Sequence, residues 1–234
     1  MPERKTSFTT GEYYHIYNRG NSKQLLFIDN DDYLRFAKLL YLCNSHKNIS
    51  FRDDIVERKI DAWDFDRGEG IVSIGAWVLM PNHFHLYVTI SPRSFLGGNL
   101  DDSISLYMKK LCTGYSMYFN KRYKRSGSLF EGKFKSSHIN NDEYAKYNFS
   151  YIHLNPVKLI EPNWKENGIR DQSKVLNFLD TYKWSSYHDY RGKKRPENKI
   201  LFKKDFPDYF SSPQLFDQEI FDWLGYEPRG LSSG

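Results

Sequence analysis

The sequence predicts an α+β fold, a ferredoxin-like (RRM-like) sandwich: one antiparallel sheet with helices on a face, plus an extra C-terminal helix. Three observations carry this expectation. Strand-like runs recur at 12–18, 71–80, 84–90 and 133–139, runs with the 3.6-residue helical period follow the first, third and fourth of them, and Gly, Pro, Asn and Asp punctuate the joins. The resulting order is strand, helix, strand, strand, helix, strand, helix.

Glu12 to Asn18 alternates weakly and is rich in Tyr and Ile, a first strand closed by Arg19, Gly20 and Asn21. Asp29 to Asn44 reads as an amphipathic helix, with acids at its start and Tyr33, Phe36, Ala37, Leu40 and Cys43 at helical spacing. His46 to Gly70 is charged and aperiodic, a long loop holding one short element. Ile71 to Met80 and Phe84 to Ile90 are strands joined at Pro81-Asn82, as a hairpin or as one bent strand. After Asp101-Asp102, the series Ile104, Tyr107, Met108, Leu111, Cys112, Tyr115 and Tyr118 gives the clearest helix in the chain. Arg125 to Gly132 forms a glycine-containing turn, Lys133 to Ile139 a short strand, and Asn141-Asp142 a cap for the third helix.

The chemistry is concentrated in two places. His83 and His85, two apart in a strand, project from one face while Phe84 enters the other. Two imidazoles aimed at one point suit a divalent metal, although the same spacing also marks polar positions on a half-buried sheet. On the third helix Ala145, Phe149 and Ile152 make the core stripe, whereas Tyr144, Asn148, Tyr151 and Asn155 share another face. Tyr151 thus faces away from the core. Asn155, one turn on, is about 40° from it round the axis, while His153 is roughly 200° away and does not converge. Pro156 biases Asn155 out of the helical region. Most of the 18 Tyr and 17 Phe must serve packing. Tyr144 and Tyr147 lie about 10 Å and about 6 Å before Tyr151 along the axis, and Tyr115 and Tyr118 sit on an apolar stripe. The expectation is a tyrosine nucleophile, Tyr151, assisted by a metal on His83, His85 and a third oxygen ligand, Asn155 or another residue.

Five blocks in order carry a family resemblance. They are Tyr14-His15-Ile16-Tyr17-Asn18-Arg19-Gly20, Met80-Pro81-Asn82-His83-Phe84-His85-Leu86, Tyr118-Phe119-Asn120 with Gly127-Ser128-Leu129-Phe130-Glu131-Gly132-Lys133-Phe134, Tyr151-Ile152-His153-Leu154-Asn155-Pro156-Val157, and Trp184-Ser185-Ser186-Tyr187. The chain resembles the single-tyrosine HUH (IS200-like) transposases, and within them the REP-associated tyrosine transposases. The resemblance covers about residues 8 to 190, leaving 191–234 as a C-terminal extension. It implies cleavage and transfer of single-stranded DNA at hairpin-associated (REP-like) sites through a 5′-phosphotyrosine, with Mg²⁺ or Mn²⁺ as cofactor, by a monomer or homodimer.

The charge distribution agrees with a nucleic-acid partner. The net charge is +5, yet Lys109, Lys110, Lys121, Arg122, Lys124, Arg125, Lys133 and Lys135 face one acid, Glu131, within 27 residues, so the rest of the chain is net negative. Aromatic residues interleave this run (Tyr115, Tyr118, Phe119, Tyr123, Phe130, Phe134), a pattern that suits single strands: cations on phosphates, rings under bases. Arg19, Lys121, Arg122, Lys124, Arg125 and Lys133 are the candidate DNA contacts. Cys43 and Cys112, without CxxC spacing, read as reduced packing residues. The longest apolar stretch, Ile71 to Met80, is half a bilayer span, and the first 14 residues lack the apolar core of a signal peptide, so a cytoplasmic protein is expected. Two other readings stay open: a nuclease in which the histidines' metal activates water, and a domesticated binding protein that no longer cuts.

Overall fold

The computed structural model describes residues 7–92, 103–208 and 212–224. Its elements run β1 (Tyr13–Arg19), α1 (Asn30–Leu42), β2 (Val72–Met80), β3 (His83–Ile90), α2 (Ser103–Arg122), β4 (Lys135–Ile139) and α3 (Asp142–Leu154). Four further helices follow: α4 (Trp164–Asn167), α5 (Gln172–Thr181), α6 (Tyr187–Tyr190) and α7 (Pro213–Leu224). The sheet has the order β2-β3-β1-β4 with every neighbouring pair antiparallel, which is the expected ferredoxin-like arrangement. β2 and β3 are a hairpin turned by Pro81 and Asn82, with Met80 opposite His83. The 46–70 connection holds the expected short element, a π-helical turn at Phe51–Val56.

Local chemistry sets the helix starts. The Asp29 carboxylate accepts the backbone N–H groups of Asp31 and Asp32, and the Asn141 side chain accepts that of Tyr144 at 2.7 Å, so each helix begins on a residue that satisfies its otherwise orphaned donors. Strand alternation then divides the core. Tyr14, Ile16, Phe84, Leu86 and Val88 pack with Phe36, Leu40, Tyr107 and Leu111 of α1 and α2.

The opposite face is also covered, beyond the single extra helix that was expected. Ala76, Val78, Met80 and Tyr87 join Phe149 and Ile152 of α3, Val175 and Leu179 of α5, and Phe216 and Ile220 of α7 in a second core. Among the described residues after 190, Phe206, Phe216 and Ile220 pack into this second core. Phe206 lies 4.9 Å from the Tyr87 ring, and Phe216 is fully buried. Tyr209 and Phe210 lie outside the described residues. A bulge at Gly75 admits the Phe206 ring, which a Cβ there would meet at 2.9 Å. The edge of β2 is closed by the late motif: Leu79 N–H donates to Trp184 O at 2.8 Å and Ser186 N–H to Trp77 O at 2.9 Å. This blunts an edge that would otherwise pair with other chains.

Cys43 and Cys112 are free, and burial pushes both thiols up to about 12, which suits the packing role. No helix among the described residues is long and apolar enough to cross a membrane.

Candidate active site

The second face of the sheet carries the polar cluster. In β3, His83 and His85 point the same way, as their spacing requires, and the antiparallel register sets Tyr17 of β1 opposite His85. His15, on the same face two residues before Tyr17, reaches diagonally: its Nε2 and His85 Nδ1 share a hydrogen bond of 2.8 Å. His83 Nδ1 donates to Asn82 Oδ1 at 2.7 Å. With Nδ1 donating to Asn82, His83 Nε2 keeps its lone pair, and His85 Nε2 does the same in the tautomer whose Nδ1 donates to His15. His85 Nε2 is buried with no hydrogen-bond partner among the described residues.

Burial keeps these rings neutral. It lowers His15 and His83 to about 4, with nearby lysines adding to the effect, and holds His85 well below the ordinary imidazole value. Neutral imidazole is the ligand form.

α3 lies across this face. Asn155, at its end, keeps helical backbone angles (φ −55°, ψ −38°) because Pro156 opens a 3₁₀ turn, Asn155–Leu159, that continues the helix; the proline bias does not expel it. Asn155 therefore stays one turn from Tyr151. Its amide lies beside His83 closely enough to oppose the lowering of that imidazole, and both its side-chain polar atoms are buried with no partner in hydrogen-bonding geometry among the described residues. Two imidazoles and one amide oxygen are donor types that suit a divalent cation, although among the described residues no group of three or more His, Cys, Asp or Glu side chains is placed to hold one. The His15 bond would fix the His85 ring as ligand-orienting neighbours do.

Tyr151 is half-buried. Its ring meets His85 edge-on at 5.5 Å and His15 at 6.3 Å, and lies parallel to Tyr147 at 6.2 Å. Two cations flank it. Lys158 Nζ donates to the Tyr151 hydroxyl at 3.4 Å, and Lys165 Nζ sits 3.7 Å over the ring. Burial lowers Lys165, while Tyr151 opposes that shift. His153 turns away, as its position on the wheel required. It is fully buried, its Nε2 2.7 Å from Ser186 Oγ and its Nδ1 2.9 Å from Phe149 O, and burial lowers it to about 3.

His15, Lys158 and Lys165 are the residues that sequence reasoning missed as site members. Alternation against Tyr14 and Ile16 could have placed His15 on the His85 face, and Lys158, seven residues after Tyr151, is two helical turns on. Lys165 follows a loop and carries no such signal.

The basic segment divides differently from expectation. Arg122 is committed to α1: it bonds Asp29 at 2.7 Å and Asp32 at 3.0 Å, and Asp32 is fully buried. Arg19 is paired with Glu131 through its Nε and Nη2 groups, and Arg125 lies 5.5 Å over Phe119. Tyr115, Phe119 and Phe130 are buried in the first core, so these rings are not open for stacking. Lys121, Lys124 and Lys133 are exposed, with no acid paired to them among the described residues.

No protein-family description and no curated protein matches the chain. Solved structures with related shape include a REP-associated tyrosine transposase bound to a REP hairpin, at 18% identity and TM-score 0.48, covering 84% of this chain and 90% of that one. A Deinococcus radiodurans protein provisionally described as a transposase gives 13%, 0.33, 63% and 92%. The tRNA(His) guanylyltransferase of Saccharomyces cerevisiae gives 12%, 0.37, 92% and 86%.

Proposed function

We propose that the protein is a single-strand DNA endonuclease and strand transferase of the REP-associated tyrosine transposase type, acting at hairpin-associated sites with Tyr151 as nucleophile. One observation carries the reading: a tyrosine with one lysine at its hydroxyl and another over its ring meets the neutral His85 and His15 rings, beside a buried amide that has no partner among the described residues. A phosphodiester needs just these parts, an oxygen nucleophile and positive charge at the non-bridging oxygens.

His83, His85 and Asn155 would hold Mg²⁺ or Mn²⁺, the latter more at ease with nitrogen. Bound there, the cation would polarise a non-bridging oxygen and neutralise charge developing on phosphorus. The protein's residues do the rest. Tyr151 Oη forms a bond to phosphorus in line as the P–O3′ bond breaks. The phenol proton leaves to solvent and the departing 3′ oxygen takes one up, giving a 5′-phosphotyrosine and a 3′-hydroxyl. Lys158 stabilises the phenolate, and Lys165 keeps the ring in place. Because one ester replaces another, a second 3′-hydroxyl can reverse the step and join strands.

The test is covalent attachment. Incubated with a labelled single-stranded hairpin oligonucleotide and Mg²⁺ or Mn²⁺, the chain is expected to form an adduct that maps to Tyr151 and disappears in Tyr151→Phe. An adduct retained in the phenylalanine variant, or mapped to Tyr144 or Tyr147, would refute the assignment. Cleavage without any adduct would favour metal-activated water instead.

A further inference from the structure

We infer that the cavity beside Tyr151 is a stacking slot for one unpaired nucleobase of the strand being cut. The inference rests on Tyr151 as nucleophile and adds the part of the substrate that sets register. The cavity has a volume of about 650 Å³, in the range of sites for small molecules, and its walls come from α3, α4 and α7. Tyr147, Tyr151, Trp164, Lys165, Glu219 and Trp223 line it.

These side chains match a base and its phosphate. Tyr147 lies parallel to Tyr151, and the Trp223 ring stands 5.2 Å from Tyr147 at 61°, so π faces border the space on more than one side. Polar groups are few and mixed in sign. Glu219 Oε1 accepts Trp223 Nε1–H at 2.9 Å, and a carboxylate retains further acceptor sites. Trp164 is nine-tenths buried and keeps its Nε1–H without an acceptor among the described residues. An acceptor, a lysine and flat aromatic faces are what a nucleotide's base edge, phosphate and base face satisfy together. Lys165 joins slot to reaction: its Nζ is 3.7 Å over Tyr151 and 3.4 Å from the Tyr147 hydroxyl, so a base in the slot would hold its own phosphate at the nucleophile. Glu219 favours bases with an exocyclic amino group over thymine, whose N3–H lies between two carbonyl oxygens.

The experiment scans abasic positions along the single-stranded flank of a hairpin oligonucleotide. Binding is measured with the Tyr151→Phe chain, which keeps the ring and does not turn the substrate over. One abasic position is expected to weaken binding roughly 5- to 150-fold, as loss of a stacked base does. Trp223→Ala and, independently, Tyr147→Ala should weaken the intact oligonucleotide to a similar extent but add little once that position is abasic. Glu219→Gln, which preserves packing, should narrow the preference for an amino-bearing base over thymine there. The slot is overturned if variant and abasic effects simply multiply at every position, or if the variants bind undiminished. Coupling without a Tyr151 adduct in the unsubstituted chain would sink the nucleophile and leave the slot; an adduct without coupling would do the reverse.

Discussion

Phe84 and His85 are neighbours in one strand, yet they belong to two different kinds of surface. Phe84 faces α1 and α2 in an apolar core, where alternate residues of β1 and β3 interdigitate with helix stripes. His85 faces α3 across His15, Tyr17 and His83, with a buried ring nitrogen left without a partner among the described residues. The first face is built to hold the chain together. The second accepts unmet polar groups, a cost that folding alone does not explain and that a bound substrate would offset.

The largest effect that separates the faces is on stability. Phe84→Ala should cost about 3–5 kcal/mol in urea unfolding, the range for deleting a buried aromatic ring. The double variant His15→Leu/His85→Leu should stay within about 1 kcal/mol of the parent, because both members of a buried polar pair are replaced by apolar groups, and it should lose metal-dependent cleavage. Comparable destabilisation by both would erase the distinction between the faces.

Arg122 offers a cut of the next size. Arg122→Gln should destabilise by about 3 kcal/mol or more, since it removes the cation facing buried Asp32, while single-strand affinity measured on the folded fraction holds. A weakened affinity in folded protein would return Arg122 to the binding surface.

A pH titration sharpens the contrast further. His15 and His83 titrate near 4 in the folded state against about 6.5 unfolded, so the unfolded chain takes up protons first as pH falls. Their contribution is complete above about 6.5 and is lost progressively as pH falls to about 4. Stability measured across this window should decline, and less steeply in His15→Leu/His85→Leu. A parent curve flat from 7 to 4 would mean that the rings are not buried as described.

The smallest expected effect concerns the exposed cations. Replacing Lys121, Lys124 and Lys133 by Gln should leave stability unchanged and flatten the salt dependence of single-strand binding by about 0.7 per lost contact, about 2 in all. An unchanged slope would move the binding surface elsewhere.

How far the sequence could go depended on the range of the interactions involved. Helix caps, strand alternation and the common face of His83 and His85 are set by residues within a few positions of one another, so the Asn141 cap and the two histidines read correctly from the chain. Asn155 lay just within that range: a helical wheel placed it under Tyr151, and only the 3₁₀ turn after it decided that proline would not carry it away. The misreadings lie where partners are distant in sequence. Counting charges made Arg122 a DNA contact, but its acids come from α1, ninety residues earlier. Aromatic interleaving suggested stacking platforms, but burial had already claimed Tyr115, Phe119 and Phe130. What the sequence by itself determined about this protein is the order of its elements and the faces of its strands, because local backbone geometry dictates both. What the tertiary structure alone decided is that a diagonal histidine, a lysine beyond a loop and a tyrosine from a third helix meet on one sheet face, because only strand register and packing convert sequence separation into distance.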